Sequence, residues 1–331
     1  LTKGQAVNII VIASYVKRRR KILRKLSVLV LVVALVVAMV VPAYALESKF
    51  QGIKVGITFM TTNNPFFVAM LEAVKEEVEG KLGGTVIVSD GQFNVTKQLS
   101  DVEDMIVQGI DLLLFNAVDS DAAEPAVVLA KEAGIPVVCL DVDAAGPRDM
   151  FIGSDNYGAG VQCGEYTVQR LGGKGRVVII NGTPITSVRD RYQGFRDVIA
   201  KYPDIVVVAE QNGETNLTKS MEVMENVLQS QPAIDAVFGI NDPTALGILA
   251  AVQAAGREDE MFITGVDGSP DGVQAILDGT AMAATSAQSP ADIGRLGVEW
   301  GLKILNGEEV PDFIPVPVKL ITIENAEGFS W

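Results

Sequence analysis

The side chains best suited to do chemistry in this chain stand where short apolar runs end. Asn63-Asn64-Pro65-Phe66-Phe67 follows the run 53–59, Asn116 follows 111–115, and Asp141 follows 137–140. Farther on, 176–180 leads to Ser187-Val188-Arg189-Asp190-Arg191, 236–240 closes before Asn241-Asp242, 262–266 meets Asp267, and 282–286 is followed by Gln288. Amides, carboxylates and a guanidinium are the groups that hold a polyol. Each sugar hydroxyl donates and accepts at once, and Asn, Asp and Arg can grip two neighbouring hydroxyls in one plane. Phe66 and Phe67 add an aromatic surface on which the C–H face of a sugar ring lies well. Singly, each residue has an ordinary structural use: Asn and Asp form turns and helix caps, and Phe belongs in a core. The recurrence at one run end after another is what points to a site.

Other chemistry is poorly served. The chain has no histidine, so the usual general base, nucleophile activator and commonest zinc ligand are missing. Its two cysteines, Cys139 and Cys163, are too few for a structural zinc site and read as buried thiols. The glycine series Gly158-Ala159-Gly160-Val161-Gln162-Cys163-Gly164 has one residue too many for a dinucleotide fingerprint, and no acidic residue follows at the required distance. Helix packing is its expected role. Asn94-Val95-Thr96 and Asn216-Leu217-Thr218 match a glycosylation sequon, a pattern short enough to arise by chance. No cofactor, no metal and no enzymatic activity are expected.

The elements that must position these residues follow from the pattern between them. Strands are expected at 53–59, 85–89, 111–115, 137–140, 176–180, 205–209, 236–240, 262–266 and 282–286. They are continuous and apolar, as strands covered on both faces are. Helices are expected at 65–82, 96–108, 122–133, 187–201, 215–229 and 290–306; in the first, Phe67, Met70, Leu71, Val74 and Val78 share one face. Repeated β-α-β units imply parallel sheets with right-handed crossovers. The alternation runs twice, from Ile53 and again from Arg176, which gives an α/β fold of two doubly wound lobes. Each strand–loop–helix turn then lies at the carboxyl end of its sheet, where open α/β folds bind ligands.

The chain's head differs from its body. Residues 1–45 hold eight basic residues and no acidic one, leaving 19 basic against 41 acidic beyond them. A basic stretch from Lys17 to Lys25, an apolar run from Leu26 to Val41 and Ala43-Tyr44-Ala45 read as a secretory signal peptide cut after Ala45. A retained signal anchor is the alternative. The acidic remainder repels phosphate backbones and anionic lipid, so no nucleic-acid partner is expected.

From residue 51 to 324 the chain resembles the type I periplasmic binding proteins, in particular their ribose-binding branch. The matching segments are Thr62-Asn63-Asn64-Pro65-Phe66-Phe67, Asn116-Ala117-Val118-Asp119-Ser120-Asp121-Ala122, Ile135-Pro136-Val137, Ser154-Asp155-Asn156, Asn241-Asp242 and Asp267-Gly268-Ser269-Pro270-Asp271-Gly272. The resemblance implies two lobes joined by a three-stranded hinge, 46–154 plus 289–317 forming one and 155–288 plus 318–331 the other. It implies that Asn64, Phe66, Phe67, Asn116 and Asp141 line the pocket from the first lobe, and Arg189, Thr215, Asn241, Asp267 and Gln288 from the second lobe and hinge. It further implies an exported, periplasmic sugar carrier that hands a monosaccharide or polyol to the membrane permease of an ABC importer, with a chemoreceptor as a further partner. Lac-repressor-type effector cores resemble the same family, but such a regulator needs an N-terminal DNA-binding segment rather than an export signal. Three positions depart from the ribose-binding pattern: Val142 stands in place of Arg, Thr215 in place of an aromatic, and Val266 in place of Phe. Ribose, a related pentose, a ketose or a smaller polyol therefore all stay open.

Overall fold

A computed structural model describes residues 49–329; the signal-peptide reading and its cut after Ala45 fall outside them. The first half of the fold opens with β1 (Lys54–Phe59), buried at every position but its first. Asn64 then accepts a hydrogen bond from Phe66 N and, with Pro65 at the first helical position, starts α1 (Pro65–Lys75). β2 (Thr85–Asp90), α2 (Val95–Val107), β3 (Leu112–Phe115), α3 (Glu124–Glu132), β4 (Val137–Leu140) and β5 (Met150–Ser154) follow. All positions of β3 and β4 are buried, as strands covered on both faces must be.

The second half repeats the plan. α4 (Asn156–Leu171) leads into β6 (Gly175–Asn181), α5 (Thr186–Ile199), β7 (Ile205–Asn212), α6 (Leu217–Ser230) and β8 (Ala236–Gly239). Then come α7 (Asp242–Ala254), β9 (Phe262–Asp267), α8 (Pro270–Leu277), β10 (Met282–Ala287), α9 (Pro290–Leu305), β11 (Phe313–Val316) and β12 (Lys319–Thr322).

The strands form two six-stranded sheets, ordered β11-β5-β4-β3-β1-β2 and β12-β10-β9-β8-β6-β7. Among the described residues every pairing is parallel except β10 with β12. In each sheet the strand order reverses beside the first strand, between β1 and β3 and between β6 and β8. That reversal opens a crevice at the carboxyl ends. The chain passes from one sheet to the other after β5, after β10, and between β11 and β12.

α4 and α5 pack against one another through glycines. A Cβ on Gly160 would lie 2.0 Å from Arg191 O, and one on Gly194 would lie 2.2 Å from Tyr157 O. The glycine series thus permits backbone contact between two helices, and the same contact seats the α5 backbone at Arg191.

Three strands, β5, β11 and β12, are additional to those expected from the apolar runs. β5 carries Gly153, β11 carries Pro315, and β11 and β12 are edge strands with exposed residues. Proline and exposure are both tolerated at a sheet edge, where the continuous apolar signal fades. α6 begins at Leu217 rather than at 215 because Glu214 and Thr215 take positive φ, 56° and 52°, and cannot join a right-handed helix.

Candidate ligand-binding site

One cavity lies between the carboxyl ends of the two sheets. The first lobe contributes Met60, Thr61, Asn64, Phe66, Phe67, Phe93 and Asp141; the second contributes Ile185, Ser187, Val188, Arg191, Thr215, Asn241 and Asp267; Gln288 joins them from the passage after β10. The cavity is small, about 80 Å³. The lobes meet at the rim, where Ser120 Oγ lies 3.5 Å from Thr186 Oγ1.

On the first lobe the positions are fixed by the end of β1. Phe66 and Phe67 pack edge-on at 5.5 Å between ring centroids, and Phe67 lies 5.5 Å from Phe59. Both rings are buried on the core side while bordering the cavity. Asn64 Oδ1 holds Phe66 N at 3.0 Å, so the amide that starts α1 also lines the site. Asp141 follows β4 with φ 64°. Asn116 donates to Leu140 O at 3.0 Å and approaches Asp141 Oδ2 at 3.5 Å, while its own Oδ1 accepts from Met60 N. Gln98 locks this arrangement from behind, donating to Asn116 O and accepting from Val118 N. Asp141 Oδ1 is buried without a hydrogen-bond partner among the described residues. Burial pushes the Asp141 carboxyl up to about 7, against the pull of Arg191 and with the help of Asp267.

The second lobe supplies a wired polar set. Arg191 Nε donates to Asn156 Oδ1 at 2.7 Å, and its Nη1 reaches Ile240 O at 3.4 Å and Asp267 Oδ1 at 3.5 Å. Gln288 Nε2 donates to Asp267 Oδ1 at 2.7 Å, and Asp242 N reaches Asp267 Oδ2 at 3.4 Å. Burial raises the Asp267 carboxyl, with Arg191 opposing. Behind it, Asp242 accepts from Thr285 Oγ1 at 2.7 Å and from both Ser269 N and Ser269 Oγ, which fixes the turn after β9. Burial, then Asp267, pushes Asp242 up to about 7. Asn241 caps α7 through Thr244 N at 3.0 Å and also lines the cavity. Gln288 Oε1, like Asp141 Oδ1, is a buried acceptor with no hydrogen-bond partner among the described residues. Two acceptors without partners, a guanidinium and several amides can together satisfy the hydroxyls of a polyol.

The arrangement is poor in reactive groups. Cys139 and Cys163 are buried, and burial pushes each thiol up to about 12. Among the described residues no group of three His, Cys, Asp or Glu is placed to hold a metal ion.

The family model described as "Periplasmic binding protein domain" matches residues 55–309. The chain is also 41% identical over 269 residues to the ribose import binding protein of Salmonella typhimurium, covering 81% of this chain and 90% of that one. This chain belongs to the periplasmic binding protein family. Among solved structures, it is similar to the arabinose ABC transporter binding protein of Shewanella sp. ANA-3, bound to L-arabinofuranose (TM-score 0.78, 30% identity, 83% of this chain and 93% of that one). It is likewise similar to an ABC transporter solute-binding protein from Bacillus halodurans with bound myo-inositol (TM-score 0.78, 27% identity, 84% and 97%).

In this periplasmic binding protein the cavity gathers Asn64, Phe66, Phe67, Asp141, Thr215, Asn241, Asp267 and Gln288 of the residues singled out by sequence. Asn116 stands one layer back, holding Asp141 rather than lining the space. Arg189 is displaced from the site altogether: it is exposed, and Arg191 brings the guanidinium. The reason is helical phase. Ser187 and Arg191 are four residues apart and share the inward face of α5, whereas Arg189 points about 200° away from Ser187. That spacing was available in the sequence. Phe93, Met60 and Ile185 carry no motif that marks them, and Asp242, next to the cavity-lining Asn241, is turned away to hold Ser269 and Thr285.

Proposed function

We propose that this protein is the exported sugar-binding component of an ABC importer, closing its two lobes over one monosaccharide or small polyol. One observation carries the reading. Amides, carboxylates and a single guanidinium from the strand ends of two separate sheets face one cavity beside aromatic rings. The lobes are assigned as 46–154 with 289–317 and 155–288 with 318–331, and the three passages between sheets act as the hinge. A ligand held by both halves makes contacts that exist only in the closed form, and that difference drives closure.

The protein is a carrier rather than an enzyme. Its two thiols are protonated and buried, and no histidine is available for proton transfer. The names of the relatives support an import role, with a membrane permease reading the closed form and a chemoreceptor as a second reader. The basic and apolar head supports export and a periplasmic location. No helix among the described residues is long and apolar enough to cross a membrane. Isothermal titration against D-ribose, L-arabinose, D-allose, D-fructose, myo-inositol and glycerol tests the reading. Binding of at least one at micromolar or lower concentration is expected; no heat from any of the six would overturn it.

A further inference from the structure

We infer that Phe93 is an added aromatic wall of the cavity, selecting a ligand in ring form; this deepens the sugar-binding reading and rests on it. Phe93 is 65% exposed, with no burial to explain so large an apolar ring. It borders the same cavity as Phe66 and Phe67. Gln92 and Phe93 both take positive φ, 52° and 54°, a conformation unfavourable for an aromatic residue.

The second lobe shows what this turn needs by itself. Gly91-Gln92-Phe93-Asn94-Val95-Thr96-Lys97 and Gly213-Glu214-Thr215-Asn216-Leu217-Thr218-Lys219 are two copies of one motif. Gly91 N donates to Phe59 O at 2.8 Å, and Gly213 N donates to Asn181 O at 2.9 Å. Gln92 N is held by Asp90 Oδ1 and Glu214 N by Asn212 Oδ1. Asn94 caps Lys97 N and Asn216 caps Lys219 N, both at 3.0 Å. The third position has φ 54° in one copy and 52° in the other, yet it is Phe in the first and Thr in the second. The turn therefore does not require the ring. Both third residues line the cavity, so the ring acts on what enters it.

An exposed aromatic face beside carboxylates and amides complements a molecule with hydroxyls at its edge and C–H bonds on its face. A furanose, a pyranose or a cyclitol has such a face. An open-chain polyol does not.

Phe93→Asn tests this, because asparagine accepts positive φ and lacks the ring, with Phe93→Gly as the control that adds no amide. Titrations use D-ribose, L-arabinose, D-allose, myo-inositol and glycerol. Phe93→Asn is expected to weaken the best ring-form ligand roughly tenfold, with Phe93→Trp close to native and the melting temperature of unliganded Phe93→Asn equal to or above native. An unchanged Kd in Phe93→Asn, an equal loss in Phe93→Trp, or native binding of glycerol as tight as that of any ring would overturn the inference while leaving the carrier reading intact. A native protein that binds none of these five nor D-fructose would instead remove both.

Discussion

The two lobes share a strand order, a switch point and even a repeated turn, yet they furnish the cavity with different chemistry. All the aromatic rings at the cavity, Phe66, Phe67 and Phe93, come from the first lobe, where Asn116 and Gln98 hold Asp141 from behind but no cation joins them. The second lobe brings the guanidinium and a connected set in which Arg191, Asn156, Asp267, Gln288 and Asp242 hold one another. Topology decides where the loops gather. It leaves the side chains free to divide the work, with apolar surface for the ligand's face on one side and pre-oriented hydrogen-bonding groups for its edge on the other.

The comparison breaks most readily at Arg191. Arg191→Met leaves Asp141 and Asp267 without a facing cation, and truncating one member of a buried charge pair costs about 3–5 kcal/mol. Loss of measurable sugar binding together with a lowered melting temperature is expected. Native affinity in this variant would show that the second lobe's network is not what holds the ligand.

Asn241→Ala comes next. It should weaken binding by about 1–3 kcal/mol if its amide bonds the ligand, and lower stability by about 0.5–2 kcal/mol through loss of the α7 cap. Titration and urea unfolding separate the two effects.

A pH series sharpens the first-lobe side. The Asp141 carboxyl sits at about 7 in the folded protein against an ordinary 3.8. Between roughly pH 4 and 7 the folded form therefore binds more protons than the unfolded chain, and this group's contribution to stability falls as pH rises through that window. Asp141→Asn cannot ionise and lacks this fall. Urea unfolding of the unliganded proteins across the window should show native stability declining relative to the variant; parallel curves would refute the assignment. Smallest of all, Arg189→Ala should leave affinity and stability within about 0.5 kcal/mol of native, since the side chain is exposed and off the cavity.

Much of the scaffold was legible because doubly covered strands leave continuous apolar runs, as in Leu112–Phe115 and Val137–Leu140. The edge strands Phe313–Val316 and Lys319–Thr322 were not, because exposure and Pro315 break that signal. Residues at or just beyond the end of a strand, such as Asp267 and Asp141, could be placed because the carboxyl end of a parallel sheet is a fixed location. Arg189 and Arg191 required helix phase as well, and phase depends on where α5 starts. Phe93 was illegible for a deeper reason: an isolated Phe in a polar turn looks the same whether it faces solvent, a core or a ligand, and only the paired turn at Thr215 exposes it as a choice.

The rim contact between Ser120 and Thr186 bears on what keeps the lobes together. Ser120 Oγ meets Thr186 Oγ1 at 3.5 Å and accepts from Thr186 N at 3.4 Å, long hydrogen bonds that contribute no more than about 0.5–1.5 kcal/mol each. A clasp this weak adds little to closure, so under the proposed function the contacts a ligand makes with both lobes would outweigh it in holding them together.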